Sequence, residues 1–178
     1  FDEYQETVRF LSDMESVSVS RLIKGLKNRD AGVRAGCATV LGRRRVQAAV
    51  EPLLKKIKDR GGFQVRDGYT TITEICVGVE ATRALGRIGD RRAVEPLIEL
   101  LRNSNPDFRE AAIGALGDLG DERAIAPLIE RVRDPFMILG QYAGDVLSGL
   151  TGQYYYDDYE AWKAWYEREH GSLALALD

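Results

Sequence analysis

The sequence predicts an all-α fold, a right-handed α-solenoid of about four helix pairs, and two repeated segments lead to this prediction. Residues 84–90 (ALGRIGD) recur 31 residues later as residues 115–121 (ALGDLGD). Residues 93–98 (AVEPLI) recur at the same spacing as residues 124–129 (AIAPLI). Self-similarity at a fixed period of about 20 to 50 residues is typical of stacked helical units, none of which buries its apolar face alone. A solenoid presents an extended surface, so the repeat also favours a binding role.

Composition and charge exclude several classes of protein. The 178 residues are 44% hydrophobic and 30% charged, which is ordinary for a globular domain, and the formal net charge is −3. This charge gives no overall attraction to nucleic acid or to an anionic membrane. No apolar run reaches the roughly 18 residues of a membrane span, and no signal-peptide pattern opens the sequence. We therefore expect a single cytoplasmic domain, residues 1–178, that binds neither nucleic acid nor membrane.

The register of the repeat divides the chain into three parts. Residues 1–18 are expected to form an N-terminal cap, residues 19–150 the repeats, and residues 151–178 an aromatic capping helix with a tail. Gly89 and Gly120 are expected to end helices, and the aspartate after each glycine is expected to cap the next helix. The predicted helices comprise residues 21–27, 32–43, 91–102, 106–118, 122–133, 135–147 and 158–170.

Three prolines mark the first helix of successive pairs. Pro96 and Pro127 are 31 residues apart, but Pro52 precedes Pro96 by 44, so 13 residues are inserted, and we assign them to residues 60–72. Each proline lies about one turn inside its predicted helix, where it would remove a backbone donor. We therefore expect a short loose turn before each proline and the regular helix to begin near it.

The insertion carries a hairpin signal. Its Asp-Gly dipeptide at residues 67–68 lies between β-forming residues, and Asp-Gly favours a two-residue turn with positive φ at both positions. We expect a β-hairpin of residues 63–66 against residues 69–72. It is either a tolerated surface loop or part of a binding site, in which case the contacting residues are Phe63, Arg66 and Tyr69.

The C-terminal part is rich in aromatic residues. Tyr159, Trp162 and Tyr166 recur at i, i+3 and i+7, which places them on one face of a helix. This spacing predicts a cap that buries Trp162 against the last helix pair. The alternative is an exposed aromatic binding site.

The repeats combine a helix of the type A-V-E-P-L-I-x-x-L, an Asp or Asn turn, V/F-R-x-x-A and A-L-G-x-x-G-D, and four copies share one register. Over about residues 19–150 this pattern resembles the HEAT-like repeats of phycobilisome bilin lyases and, more broadly, HEAT and armadillo superhelices. The copies differ at the turn arginine, which is present as Arg34 and Arg109 but is replaced by Gly78 and Gly140. In the lyases, the resemblance implies, partner subunits present a tetrapyrrole to a cysteine of a client protein, an activity that needs no strong catalytic motif.

Catalytic and metal-binding motifs are not recognisable in the sequence. His170 is the only histidine, no G-x-S-x-G elbow precedes it, and Cys37 and Cys76 lack the C-x-x-C spacing of zinc sites. The single histidine also argues against deoxyhypusine hydroxylases, which hold iron with His-Glu pairs. The few basic residues at the predicted concave positions argue against the HEAT-like alkylpurine DNA glycosylases. We therefore expect no catalytic residue, no metal, no cofactor and no enzymatic activity.

The candidate binding surface lies on the second helix of each pair, which lines the concave face of such solenoids. Leu41, Leu85, Leu116 and Leu147 are expected to point into the core, so residues two, five and six positions before each leucine face outward. Many of these residues are Ala or Gly, and the alternative is that they only let helices pack closely. The residues expected to contact a partner are Val79, Glu80, Arg83, Glu110, Gln141, Tyr142 and Asp145.

These observations together predict a non-catalytic scaffold that binds another protein on its concave face. The alternative function is a bilin lyase, or a lyase-like chaperone subunit, acting on a tetrapyrrole-carrying protein. Binding of a tetrapyrrole would distinguish the two functions.

Overall fold

The structure, a computed structural model, describes residues 16–66 and 72–176. The predicted N-terminal cap therefore lies almost wholly outside the described residues. The chain forms two compact units, and the division falls between Ala93 and Val94. We call these segments unit 1 and unit 2, and the prediction that they make one domain stays a prediction.

Unit 1 contains two helix pairs and the inserted hairpin, as the repeat predicts. The long helices α2 and α4 pack against each other, and Gly42 permits this crossing because an added Cβ would come 2.6 Å from the Cα of Ala84. The elements in order are α1 (Val19–Gly25), α2 (Ala31–Arg43), α3 (Val50–Leu54), β1 (Gly62–Arg66), β2 (Ile72–Cys76) and α4 (Val77–Ile88).

Unit 2 contains two further pairs and the terminal helix. Helix α7 packs against α8, and α9 lies against α7 at the end of the repeats. The elements are α5 (Val94–Leu100), α6 (Pro106–Leu119), α7 (Ile125–Arg131), α8 (Met137–Thr151) and α9 (Tyr159–His170). The prediction of an all-α HEAT-like solenoid with one hairpin is confirmed for the described residues.

The helices begin and end close to the prolines and glycines that the sequence indicated. A single 3₁₀ turn precedes α3, α5 and α7, and the proline is the third residue of each of these helices, as predicted. Gly89 and Gly120 adopt left-handed φ values of 80° and 64° at the ends of α4 and α6. Arg45 occupies the equivalent position after α2 with φ 49°, so the same stop is made there by a residue that is strained in this conformation.

The predicted core leucines are buried without exception. Leu41 and Leu85 in unit 1, and Leu116 and Leu147 in unit 2, have no exposed surface. Their common register explains why the 31-residue period is kept, because each leucine fills an equivalent buried position of its own repeat.

Two arginine–aspartate pairs repeat with the solenoid. Arg34 Nε donates to Asp59 at 2.9 Å, and Arg109 Nε donates to Asp134 at 2.7 Å. Each arginine also donates from Nη1 to two carbonyls of the turn that precedes its helix. Burial by itself raises the pKa of Asp134, but hydrogen bonds from Arg109 and from the N–H of Phe136 outweigh it and hold the pKa below its ordinary 3.8. The pair therefore stays ionised and joins two turns of unit 2.

The inserted hairpin is present as predicted. Its strands are antiparallel, and both lie against α2. The predicted turn at residues 67–68 lies outside the described residues.

The predicted register of the hairpin is wrong. The second strand was expected at residues 69–72, whereas Arg66 pairs with Ile72 and Gly62 with Cys76. The base of the hairpin fixes this register, because Cys76 is followed at once by the first residue of α4 and must lie beside Gly62.

The C-terminal helix is a cap with a buried tryptophan. Trp162 has no exposed surface, its Nε1 donates to the carbonyl of Tyr156 at 2.9 Å, and its ring meets Tyr155 edge-on at 5.0 Å. The Tyr159 hydroxyl donates to Glu130 of α7 at 2.9 Å. Trp162 is thus buried as the cap prediction requires, whereas Tyr154 and Tyr156 beside the helix stay exposed, so the alternative of an exposed aromatic binding site stays open for these two residues.

We expect Trp162→Ala to lower the free energy of unfolding by about 3 to 5 kcal/mol, because it leaves a large cavity and removes a buried hydrogen bond. Urea unfolding measures this loss. Tyr154→Ala is the matched control, since Tyr154 is 74% exposed and its removal should change stability by less than about 0.5 kcal/mol. Equal effects of the two substitutions would contradict the cap.

We expect Arg109→Ala to cost about 3 to 5 kcal/mol of unfolding free energy, because it leaves the fully buried carboxylate of Asp134 without its main partner. Arg34→Ala is the comparison variant. It should cost clearly less, because its pair is more exposed and Lys56 still lies 3.2 Å from Asp59. Equal losses of unfolding free energy in urea would show that burial does not determine how much each ion pair contributes to stability.

Candidate functional site

A polar cluster on the second helices of unit 1 includes two of the predicted site residues. Thr39 Oγ1 donates to Glu80 Oε2 at 2.8 Å, and Arg83 Nη1 donates to Glu80 Oε1 at 2.9 Å. The Glu80 side chain is 15% exposed and that of Arg83 is 40% exposed. This cluster, the Glu80 patch (Thr39, Glu80 and Arg83), therefore presents a guanidinium group whose direction is set by a mostly buried carboxylate.

Val79 does not face outward as predicted. It is 5% exposed, whereas Glu110 and Gln141, at the equivalent position six residues before the core leucine, are exposed. Six residues correspond to a rotation of about 120° from the leucine, at the border between the core and the outer face. At this border an apolar side chain turns inward and a polar one turns outward, so the residue type decides.

The remaining predicted residues lie on the second helices of unit 2 and face outward. Glu110 is exposed on α6, and Gln141, Tyr142 and Asp145 are exposed on consecutive turns of α8. Tyr142 leans toward α6, because a Cβ added at Gly114 would come 2.6 Å from its hydroxyl oxygen. Gly114 thus makes room for Tyr142, which supports the packing interpretation for this small residue.

The hairpin residues are placed by their strand. Phe63 and Arg66 lie on β1, and Tyr69 lies outside the described residues. The hairpin ends at Cys76, one helical turn before Glu80 on α4. Helix α4 therefore begins at the base of the hairpin and carries Glu80 in its first turns.

The two thiols have structural surroundings. Burial raises the pKa of the Cys37 thiol to about 11, so it is protonated near neutral pH. The Cys76 thiol donates to the carbonyl of Asp59 at 3.4 Å. Within residues 16–66 and 72–176, no three or more His, Cys, Asp or Glu side chains group to hold a metal ion, and no helix is long and apolar enough to cross a membrane.

The predictions from the sequence did not include an exposed apolar segment at the start of α8. Phe136, Met137 and Ile138 are 55%, 70% and 75% exposed. The repeat register could have indicated this segment, because Phe136 lies 31 residues after Asn105. The side chain of Asn105 caps α6 by accepting from the N–H of Asp107. Phe136 stands at the N-cap of α8 and makes no such bond.

Comparisons with known proteins agree with this architecture. A family model described as HEAT repeats matches residues 77–137. A protein named phycocyanobilin lyase subunit alpha from Microchaete diplosiphon is 35% identical over 108 residues, which is 60% of this chain and 35% of that protein. Its counterpart from Pseudanabaena tenuis is 33% identical over 103 residues, 57% of this chain and 36% of that protein. The chain thus spans about a third of the length of these relatives.

A solved structure supports the fold. The complex of CpcE and CpcF of phycocyanin lyase from a Nostoc species matches with a TM-score of 0.57 at 21% identity, over 86% of this chain and 70% of that chain. Repeats, fold and relatives together define a HEAT-like α-solenoid. The chain carries HEAT-like repeats and is similar to the phycocyanobilin lyase subunits named above.

The comparisons overturn two predictions. The main functional prediction, a non-catalytic scaffold, is wrong, because both curated relatives are named as subunits of a lyase. The prediction that the chain is not an enzyme is wrong for the same reason. Both predictions relied on a search for a nucleophile and a base within one chain.

We expect deletion of residues 63–75 to leave the helices folded. The deletion removes 13 residues, the size of the insertion, and joins Gly62 to Cys76, which already lie opposite each other at about 5 Å between Cα atoms. Circular dichroism and thermal unfolding should show nearly unchanged helix content and melting temperature. A cooperative loss of helicity would show that the hairpin is part of the core of unit 1.

Proposed function

We propose that this chain is the repeat region of a phycocyanobilin lyase subunit, which binds an open-chain tetrapyrrole and works with a second protein. The observation that carries the proposal is the 35% identity over 108 residues to a phycocyanobilin lyase subunit alpha. The match to a two-protein lyase complex supports a protein partner.

The chemistry of thioether formation fits a chain that only holds the tetrapyrrole. A client cysteine adds across a carbon–carbon double bond of the bilin: sulfur bonds to one carbon, and a proton reaches the other. Nothing is oxidised and no group leaves. Because the attacking thiol belongs to the client, the lyase contributes orientation and charge neutralisation, which can accelerate a reaction strongly without a nucleophile of its own.

The Glu80 patch has the groups that a tetrapyrrole needs. The propionate side chains of a bilin are carboxylates, which a half-exposed guanidinium such as that of Arg83 binds well. Glu80 fixes the direction of Arg83, so little side-chain entropy is lost on binding. We place the propionate end of the tetrapyrrole at Arg83, one to two helical turns after the base of the hairpin at Cys76.

The exposed polar and aromatic residues of unit 2 serve protein contacts in this proposal. Tyrosine is enriched among the residues that dominate the binding energy of interfaces. The assigned contact residues are Glu110, Gln141, Tyr142 and Asp145.

We expect titration of the purified chain with phycocyanobilin to shift the visible absorbance of the bilin, because binding fixes its flexible conformation. Arg83→Ala should weaken binding about tenfold, since a hydrogen bond to a charged group is worth about 1.5 kcal/mol. Arg87→Ala is the matched control, one turn further along α4 and exposed. It should bind like the unchanged chain.

The deletion of residues 63–75 tests the hairpin in the same titration and should weaken binding while the fold is kept. Absence of any absorbance shift with the unchanged chain would remove the tetrapyrrole from the proposal. A shift that survives both Arg83→Ala and the deletion would keep the lyase assignment and move the site elsewhere.

A further inference from the structure

The charge of the chain is divided unevenly between its two units. Unit 1 contains 18 Lys and Arg against 12 Asp and Glu, a net charge of +6, whereas unit 2 contains 7 against 16, a net charge of −9. The formal net charge of −3 for the whole chain does not show this difference. Because clustered charge of one sign attracts groups of the other sign, unit 1 is the part of the chain that favours an acidic partner.

Three consecutive arginines lie at the end of α2. Arg43 is its last residue, Arg44 and Arg45 follow directly, and all three are exposed. We call them the basic turn (Arg43, Arg44 and Arg45). In the second and third helix pairs, an apolar residue and a glycine take the places of Arg44 and Arg45, namely Ile88 and Gly89, and Leu119 and Gly120. The repeat itself therefore does not require these two guanidinium groups.

Arg45 stands where the backbone favours glycine. Its φ is 49°, in the left-handed region, and Gly89 and Gly120 at the equivalent place have φ values of 80° and 64°. Arginine is strained in this conformation, whereas glycine is not. The side chain of Arg45 is exposed and has no hydrogen-bond or ion-pair partner among residues 16–66 and 72–176. Strain without a packing reason is a feature of binding sites, so we look for the partner of Arg45 outside this part of the chain.

Stabilisation of the helix end does not account for the basic turn. Basic side chains near the C-terminus of a helix interact favourably with the helix dipole. However, α6 and α8 have no basic residue in their last turn, and Asp118 stands one residue before the end of α6. The same fold thus ends its second helices without a positive charge.

The carboxylate nearest to the basic turn along α4 is already paired. Gln47 Nε2 donates to the carbonyl of Ile88 at 3.2 Å, which places the segment after the basic turn against the end of α4. Asp90 follows two residues later, and its two carboxylate oxygens accept from Nε and Nη2 of Arg92 at 3.0 and 2.8 Å. Arg87, in the last turn of α4, adds a further positive charge. The end of α4 therefore increases the positive charge beside the basic turn.

We propose that the basic turn binds a short acidic segment of a partner protein, whose carboxylates pair with the guanidinium groups of Arg44 and Arg45. A guanidinium group can bind a carboxylate through two parallel hydrogen bonds. Arg44 is held in place for such a contact, because its Nη1 donates to the carbonyl of Val17 at 2.7 Å. Arg45 has its whole guanidinium group available.

The distribution of charge favours a short protein segment over nucleic acid or a membrane. A long polyanion or an anionic membrane meets the charge of the whole chain, which is −3, whereas a short acidic segment meets the basic turn and its surroundings in unit 1. The inference rests on the proposed function only in that a protein partner exists, and it requires no tetrapyrrole. It adds one chemical feature to that partner, an exposed run of Asp or Glu.

Binding is measured by fluorescence anisotropy of a labelled hexaglutamate peptide with the full chain at low ionic strength, without tetrapyrrole. We expect the affinity to fall steadily as sodium chloride is added, because salt screens exposed charges. Arg45→Gly should weaken binding about three- to fivefold, the loss expected for one exposed ion pair. The same substitution should leave the melting temperature unchanged or raise it, because glycine removes the strain. A purely structural role of Arg45 would lower the melting temperature.

Arg102→Ala is the matched control, because it removes the same charge from an exposed position of unit 2. It should bind the peptide like the unchanged chain. The double substitution Arg44→Ala/Arg45→Gly should weaken binding about tenfold or more, since two ion pairs are lost. Circular dichroism should show all variants equally helical.

Three results would overturn the proposal. The first is no binding of the peptide at low ionic strength, and the second is an Arg45→Gly variant that binds no more weakly than Arg102→Ala. The third is tighter binding of single-stranded DNA or of phosphatidylserine vesicles than of the peptide, which would replace the protein segment by another polyanion. The titration with phycocyanobilin contains no peptide, so each of these results leaves the proposed function intact.

Discussion

The arginine–aspartate pair is the interaction on which both units depend. Asp134 is fully buried and the Arg109 side chain is 7% exposed, so their remaining donors and acceptors must be met by protein groups. Two carbonyls before α6 and the N–H of Phe136 meet them, which fixes the direction in which the exposed apolar segment leaves the repeat. The pair in unit 1 acts in the same way, because Asp59 also accepts from the N–H of Gly61, immediately before the hairpin. In each unit, therefore, one arginine–aspartate pair positions the start of an element that we associate with function.

Most of the fold could be predicted because each repeat must meet the same physical requirements, so the same residue types recur with the period. A leucine such as Leu85 recurs where a helix pair needs the same volume filled, and Gly89 recurs where the chain needs a left-handed stop. The register of the hairpin could not be predicted from the repeat. The Asp-Gly dipeptide indicates only a turn, whereas the strand pairing is fixed by the start of α4. The prediction that Val79 faces outward failed for a different reason. At a position on the border between the core face and the outer face, the type of residue decides its direction, and the periodicity of the sequence does not contain this information.

The candidate site was predictable only in part. Glu80 and Arg83 were identified as outward residues, but the bond from Thr39 to Glu80 depends on the crossing of α2 and α4 and could not be predicted. The error about enzymatic activity has a chemical cause. A search for paired nucleophile and base assumes that both belong to the catalyst, whereas in the function that we propose the nucleophile belongs to the client protein. For such an enzyme the informative residues are those that hold a flat, doubly acidic ligand, and these look like an ordinary polar surface in a sequence.

The structure separates exceptions that the fold explains from those that it does not. Tyr156 has a left-handed φ of 53°, yet its carbonyl accepts from Trp162 Nε1 and lies against Gly144, so internal packing accounts for the strain. Gly144 is equally accounted for, because no side chain fits beneath that carbonyl. Gly149, five residues further along α8, has no neighbour that would exclude a side chain. Two glycines of one helix thus differ: Gly144 is required by the chain's own C-terminal segment, whereas no atom of the described residues excludes a side chain at Gly149.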